Sequence, residues 1–167
     1  MTQVGPQDGS LIVKTYREGI AAKVGHDLVI EVTRWEATLE GDRVELTADA
    51  RSLQIREGLH GVKPLTDKDR AEILKTIDAK VLLGKPIAFS GTVADHEDRL
   101  DLDGDLTIAG VTRPTRAAVD VVDGRATATI PLRQSEWEIK PYRGMMGALK
   151  VRDELEIVLD VRLPAAA

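Results

Sequence analysis

The chain of 167 residues contains no cysteine. Disulfides, thiolate metal sites and cysteine nucleophiles are therefore excluded, although the compartment is not fixed by this. Aromatic residues make up only 3 %, with Phe89 the single phenylalanine. Long apolar runs are also missing. None approaches the roughly 20 residues of a membrane-spanning helix, so stable membrane insertion is not expected. The formal charge is −5, with acids and bases interspersed. No basic block or stripe offers a footprint for nucleic acid, and the acidic balance argues against an anionic membrane surface as main partner. The first ten residues, MTQVGPQDGS, lack the positive region and apolar stretch of a secretory signal, so a cytoplasmic protein is the expectation.

What the chain has is alternation. In Leu100–Ile108, LDLDGDLTI, the residues Leu100, Leu102, Leu106 and Ile108 share one parity, and Asp101, Asp103, Asp105 and Thr107 the other. Successive strand side chains point to opposite faces, so this is a strand with one dry face and one wet face. The pattern recurs at 10–16, 26–40, 44–50, 87–94, 116–122, 126–132 and 155–163. Within 26–40 the apolar parity switches between Val32 and Trp35, which a bulge or bend produces. Asp123-Gly124 suits a tight hairpin turn. Residues 66–82 depart from this period: Ile73, Leu74, Ile77 and Val81 follow helical spacing, with Thr66 as N-cap and Gly84 and Pro86 as stops. Residues 1–9 read as a loose lead-in, 10–163 as one domain and 164–167 as a tail. The count is about eight strands with one substantial helix, which suggests a barrel or a sandwich.

The dry parities are rich in small residues: Ala48, Ala50, Gly91, Gly104, Ala117, Ala126 and Ala128. A barrel of about eight strands is near the size that side chains just fill or that holds one small ligand. The small residues leave two readings open, an apolar cavity or a filled core with one narrow end and the helix as plug.

Catalytic and metal motifs are weak. His26, His60 and His96 have no metal-ligand spacing and would need to meet in space to bind zinc. His26 precedes a strand and Asp27, which makes it a polar anchor at a barrel mouth or, less simply, a general base. The acidic run from Asp95 to Asp105 lacks the order of a calcium loop and reads as a solvated strand face. Lys140–Arg152, KPYRGMMGALKVR, places Met145 and Met146 between glycines; it reads as a helical turn over one end of the core, or as a lid. Trp35 and Trp137 either line a pocket or pack at a barrel end.

Gly104–Pro114, GDLTIAGVTRP, resembles the signature of the YceI-like family of polyisoprenoid-binding, lipocalin-like proteins. Gly25–Leu28 (GHDL), Ile87–Gly91 (IAFSG) and Gly147–Glu154 (GALKVRDE) match the same family in order. The resemblance implies an all-β, extended eight-stranded antiparallel barrel with a packed helix. It implies an elongated apolar cavity for an isoprenoid chain, such as a quinone tail, or another long lipid, with no cofactor, metal or catalysis. The inward positions of the matching strands, Leu28, Ile30, Phe89, Leu102, Leu106 and Ile108, are then the candidate ligand contacts. Dry-face parity adds Ala117, Ala128, Ile130 and Ile157. His26, Arg113 and Tyr142 are candidates to orient a head group at the mouth. The expected partner is a long-chain apolar molecule, with a homodimer allowed. The rival readings are a filled barrel serving as a stress or interaction module, and a small-molecule enzyme using His26.

Overall fold

Alternation becomes strands in the computed structural model, which describes residues 1–19, 25–144 and 149–164. The elements are β1 (Thr2–Val4), β2 (Gly9–Thr15), β3 (Arg17–Glu18), β4 (Asp27–Val32), β5 (Trp35–Glu40), β6 (Arg43–Ala48), β7 (Leu53–Leu59), α1 (Asp67–Thr76), β8 (Ile87–His96), β9 (Arg99–Ile108), β10 (Val111–Val122), β11 (Arg125–Arg133), β12 (Arg143–Gly144), β13 (Leu149–Val151) and β14 (Glu154–Arg162). Eleven of them form one antiparallel sheet in the order β1-β5-β6-β8-β9-β10-β11-β14-β2-β4-β7. The others form a small sheet, β12-β13-β3.

Eleven strands stand where eight were expected, and three breaks in the chain account for it: one sets β1 apart in the expected lead-in, one divides the 26–40 segment into β4 and β5, and one precedes β7 (Leu53–Leu59), where no strand was expected. The expected loose lead-in is not loose: β1 pairs with β5, and a turn at 5–8 joins it to β2. That turn is closed by the Gly5 N–H donating 2.9 Å to the Asp8 carboxylate and the Asp8 N–H donating 2.9 Å to Gly5 O. The second break, at Thr33–Arg34, separates β4 from β5 at the parity switch. The third, at 49–52, separates β6 from β7. Buried Ser52 ties these two corners together. Its carbonyl accepts from the Thr33 N–H at 2.8 Å, and its hydroxyl accepts from the Arg34 N–H at 3.0 Å. Because β4 continues into β5 and β6 into β7, the two ends of the strand order lie on the same stretches of chain. The pairings therefore run around a ring and return, which removes most of the exposed edge of a sheet this wide.

Among the described residues β1 pairs with β5 alone, and two further parts of that ring lack a neighbouring strand. β7 pairs with β4 alone, and α1 packs on it. There the Arg70 guanidinium donates 3.1 Å to Ile55 O, a carbonyl of β7. The helix begins as expected. The Thr66 hydroxyl accepts from the Asp69 N–H at 3.1 Å, and the Asp69 carboxylate accepts from the Thr66 N–H at 3.0 Å, a reciprocal cap. Its last part differs from the expected single helix: Ile77–Leu82 form a wider π-helical turn, ended by Leu83 and Gly84 with φ of 55° and 65°.

The second place is the seam between β10 and β11. These strands pair only where Asp120–Val122 meet Arg125–Thr127. Beyond it β10 keeps β9 alone and β11 keeps β14 alone among the described residues. Pro114 and Pro131 lie in those diverging halves. Neither has an N–H to give across a seam, and proline is tolerated where a strand lacks a second neighbour.

The core is one buried cluster of Val4, Leu11, Val32, Trp35, Ala48, Val119, Ala126, Ala128 and Val161, with Leu46, Ile87, Leu102, Ile130 and Ile157 packed partly buried against it.

Candidate functional site

Cross-strand register decides which residues face inward, since directly paired residues share a face of the sheet. One row runs Ile130, Ile157, Val13, Ile30, Ile55 across β11, β14, β2, β4 and β7. Another runs Leu46, Phe89, Leu106, Arg113 across β6, β8, β9 and β10. Leu102 stands opposite Ala117, Leu28 opposite Thr15, Ile108 opposite Val111, and Ala128 opposite Leu159. All ten candidate contacts (Leu28, Ile30, Phe89, Leu102, Leu106, Ile108, Ala117, Ala128, Ile130 and Ile157) therefore lie on the inward face.

They divide into two environments. Ile30 and Ala128 are buried, at 3 % and 8 % exposed. Ala128 sits in the filled half, so it does not border free space, contrary to the reading of the small residues as a cavity lining. Gly91 and Gly104 correct that reading too. They are paired, and a Cβ on Gly104 would lie 2.3 Å from Ser90 O and 2.6 Å from the Gly91 Cα. Glycine is there to let two backbones approach, not to leave room. The remaining eight contacts are only partly buried although they face inward. Of these, Leu102, Ile130 and Ile157 pack against the buried cluster.

The open end, where β4 and β14 begin, is held by polar knots. The Asp27 carboxylate accepts 2.8 Å from the Arg17 N–H and 2.7 Å from the His60 ring. Burial alone would raise this carboxyl, but the two hydrogen bonds outweigh it and hold it below the ordinary carboxylate range. The Tyr16 hydroxyl donates to the Glu156 carboxylate, and that bond, with burial and nearby acids, pushes the phenol up to about 12. The three histidines have separate partners. His26 donates through Nε2 to Lys63 O at 2.6 Å, His60 meets Asp27, and His96 meets Asp101 at 3.1 Å. The His26 ring also lies against Gly61, where a Cβ would come within 2.1 Å of Nε2. Its polar edge thus serves the loop after β7, and its neighbour Asp27 serves His60.

Arg113 is exposed and, by register, on the inward face opposite Leu106. Tyr142 is 47 % exposed at the same end. In the segment Lys140–Arg152, β12 pairs with β13 and β13 with β3, while residues 145–148, Met145 and Met146 among them, on which the expected helical turn or lid falls, lie outside the described residues. The two tryptophans separate cleanly. Trp35 belongs to the filled half. Trp137, 2 % exposed, ends a 3-10 turn (Gln134–Trp137) and donates its indole N–H to Leu106 O at 2.9 Å. It therefore adjoins the open half of the interior, a placement that spacing alone could not supply. Its turn is fixed by Asp153, whose carboxylate accepts from the Ser135 N–H at 2.8 Å and from its hydroxyl at 2.6 Å. Among the described residues, no cluster of acids and histidines could hold a metal ion. No helix among them is long and apolar enough to cross a membrane.

Residues 13–163 match the YceI-like domain. Among solved structures, BcnA of Burkholderia cenocepacia aligns with a TM-score of 0.63 at 15 % identity, covering 93 % of this chain and 96 % of that one. The YceI protein of Campylobacter jejuni aligns with a TM-score of 0.55 at 11 % identity, covering 83 % and 84 %. A mutant of that protein, crystallised with monobromobimane as guest, aligns with a TM-score of 0.58 over the same shares. No curated protein sequence matches the chain.

Proposed function

The chain belongs to the YceI-like family, and from that premise we propose that it holds a long apolar chain, of the isoprenoid or acyl kind, in the open half of its curled sheet. Storage, shielding and transport of such a molecule, for example a quinone by its tail, are the roles this serves. One observation carries the reading: the inward apolar residues Phe89, Leu106, Ile108, Ile130 and Ile157 keep accessible surface, although Ile130 and Ile157 also pack against the buried cluster. Apolar side chains that face inward yet stay accessible favour an apolar guest, and each methylene buried contributes about 0.8 kcal/mol. Affinity then grows with chain length and needs no precise polar chemistry.

The test uses Ala117, half-buried on β10 opposite Leu102, where the seam begins to open. Native mass spectrometry follows uptake of geranylgeraniol by the wild type and by Ala117→Phe. Stoichiometric uptake by the wild type, lost in a folded Ala117→Phe variant, supports the reading. Equal uptake by both removes the interior as the site. Ala128→Phe is unsuitable, because that side chain is enclosed in the filled half and the larger ring would overpack it.

A further inference from the structure

Beside the open end, three pieces of chain enclose a cleft of about 390 Å³. They are the end of the π-helical turn, the β9–β10 turn at Ala109–Gly110, and the residues that follow the 3-10 turn. Its border is of two kinds. Val81, Val111, Trp137 and Ile139 are apolar, and Lys80 and Lys140 are two exposed basic residues on the same border. Lys85 lies over the same turn: a Cβ on Gly110 would be 3.2 Å from its Nζ. Among the described residues none of these lysines takes part in an ion pair, and Glu138 is the one acid on the border.

A small inorganic anion has no use for the apolar walls, and a neutral apolar chain has no use for the lysines. The border fits an anion covalently joined to hydrocarbon. The cleft is also tied to the interior, because Trp137 borders it and its indole is hydrogen-bonded to Leu106 O. Leu106 stands opposite Phe89 on the inward face.

We propose that this cleft is a head-group site, taking the phosphate or carboxylate of an anionic amphiphile whose chain lies in the open half of the interior. The inference rests on the interior-chain reading above and narrows its ligand from any long lipid to an anionic one. Lys80 and Lys140 supply the charge attraction, Lys85 adds to it, and Glu138 opposes it. Trp137 separates head from chain.

The experiment compares probes that share one chain. Dissociation constants for geranylgeranyl monophosphate, geranylgeraniol and inorganic phosphate are measured by calorimetry at low salt. The proteins are the wild type, the double variant Lys80→Gln/Lys140→Gln, and Glu138→Gln. The monophosphate should bind the wild type about tenfold tighter than the alcohol, or more. That ratio should fall toward one in the double variant with the alcohol affinity unchanged, and should rise in Glu138→Gln. Added salt should lower it. Palmitate against hexadecanol repeats the comparison for a carboxylate, and the larger ratio names the head. Equal binding of monophosphate and alcohol by the wild type overturns the head-group site while leaving the interior reading intact. Inorganic phosphate binding as tightly as the ester overturns it as well. Failure of both the ester and the alcohol to bind removes the interior reading and this inference together.

Discussion

Gly104→Ala tests the geometry that closes the sheet, because two accounts of that glycine predict opposite signs. If Gly104 merely left space in the interior, alanine would be accommodated. It would stabilise by about 0.4–1 kcal/mol, by restricting the unfolded chain. The observed approach of β8 and β9 predicts the reverse. The added Cβ would lie 2.3 Å from Ser90 O, against 3.4–4 Å for an ordinary contact, and 2.6 Å from the Gly91 Cα. Both obstacles are backbone, so neither can swing aside as a side chain would. One strand must move by about 1 Å, and overpacking of this kind costs roughly 1–3 kcal/mol. For a domain of this size that lowers Tm by about 2–10 °C. Gly91→Ala should behave alike, since its Cβ would lie 2.4 Å from Asp103 O. Thermal unfolding followed by circular dichroism measures the effect. A Gly104→Ala protein with unchanged or raised Tm would refute the close-approach argument and restore the glycines as mere gaps.

Two further predictions concern the open end. Asp27 is held below its unfolded pKa of about 3.9, so its contribution to stability is complete above about pH 5 and is lost as pH falls through the folded value. Asp27→Asn should therefore cost about 1–2 kcal/mol at pH 7 and converge with the wild type in urea unfolding once acid has protonated the folded carboxyl; a pH-independent gap would contradict the role given to its charge. Trp137→Phe removes the indole donor to Leu106 O together with part of the ring's packing at a buried site, with an expected loss of about 1–3 kcal/mol. A wild-type urea midpoint in that variant would show that the hydrogen bond does not anchor the turn.

Most long strands, their parity and the helix start were legible in the chain because they are local, whereas β1 and β7 were not anticipated. Alternation at 100–108 needs only the pleat, and the cap at Thr66 needs only residues three apart. All ten candidate contacts fell on the inward face for the same reason, since parity is a two-residue property. The breaks were less legible. The parity switch at Val32–Trp35 announced a bend, but the partner break at 49–52 shows itself only once Ser52 is hydrogen-bonded to Thr33 and Arg34. The opening turn at 5–8 looked like a loose end, since proline and glycine mark turns and lead-ins alike. Pro114 and Pro131 carried a signal for the seam, yet what they face depends on which strands lie beside them.

The chain by itself determined a one-sided antiparallel sheet, its inward residues and one capped helix, since each follows from neighbours a few positions apart. Tertiary structure alone decided which inward residues are enclosed and which stay accessible. Ala117 and Ala128 are indistinguishable by type and parity, yet one borders the seam and the other the packed end. It also decided that Trp137 adjoins Leu106, and that Lys80 and Lys140 border one cleft across sixty positions of sequence. Local pattern fixes the direction of a side chain, whereas the space in front of it is set by strands that arrive from elsewhere in the chain.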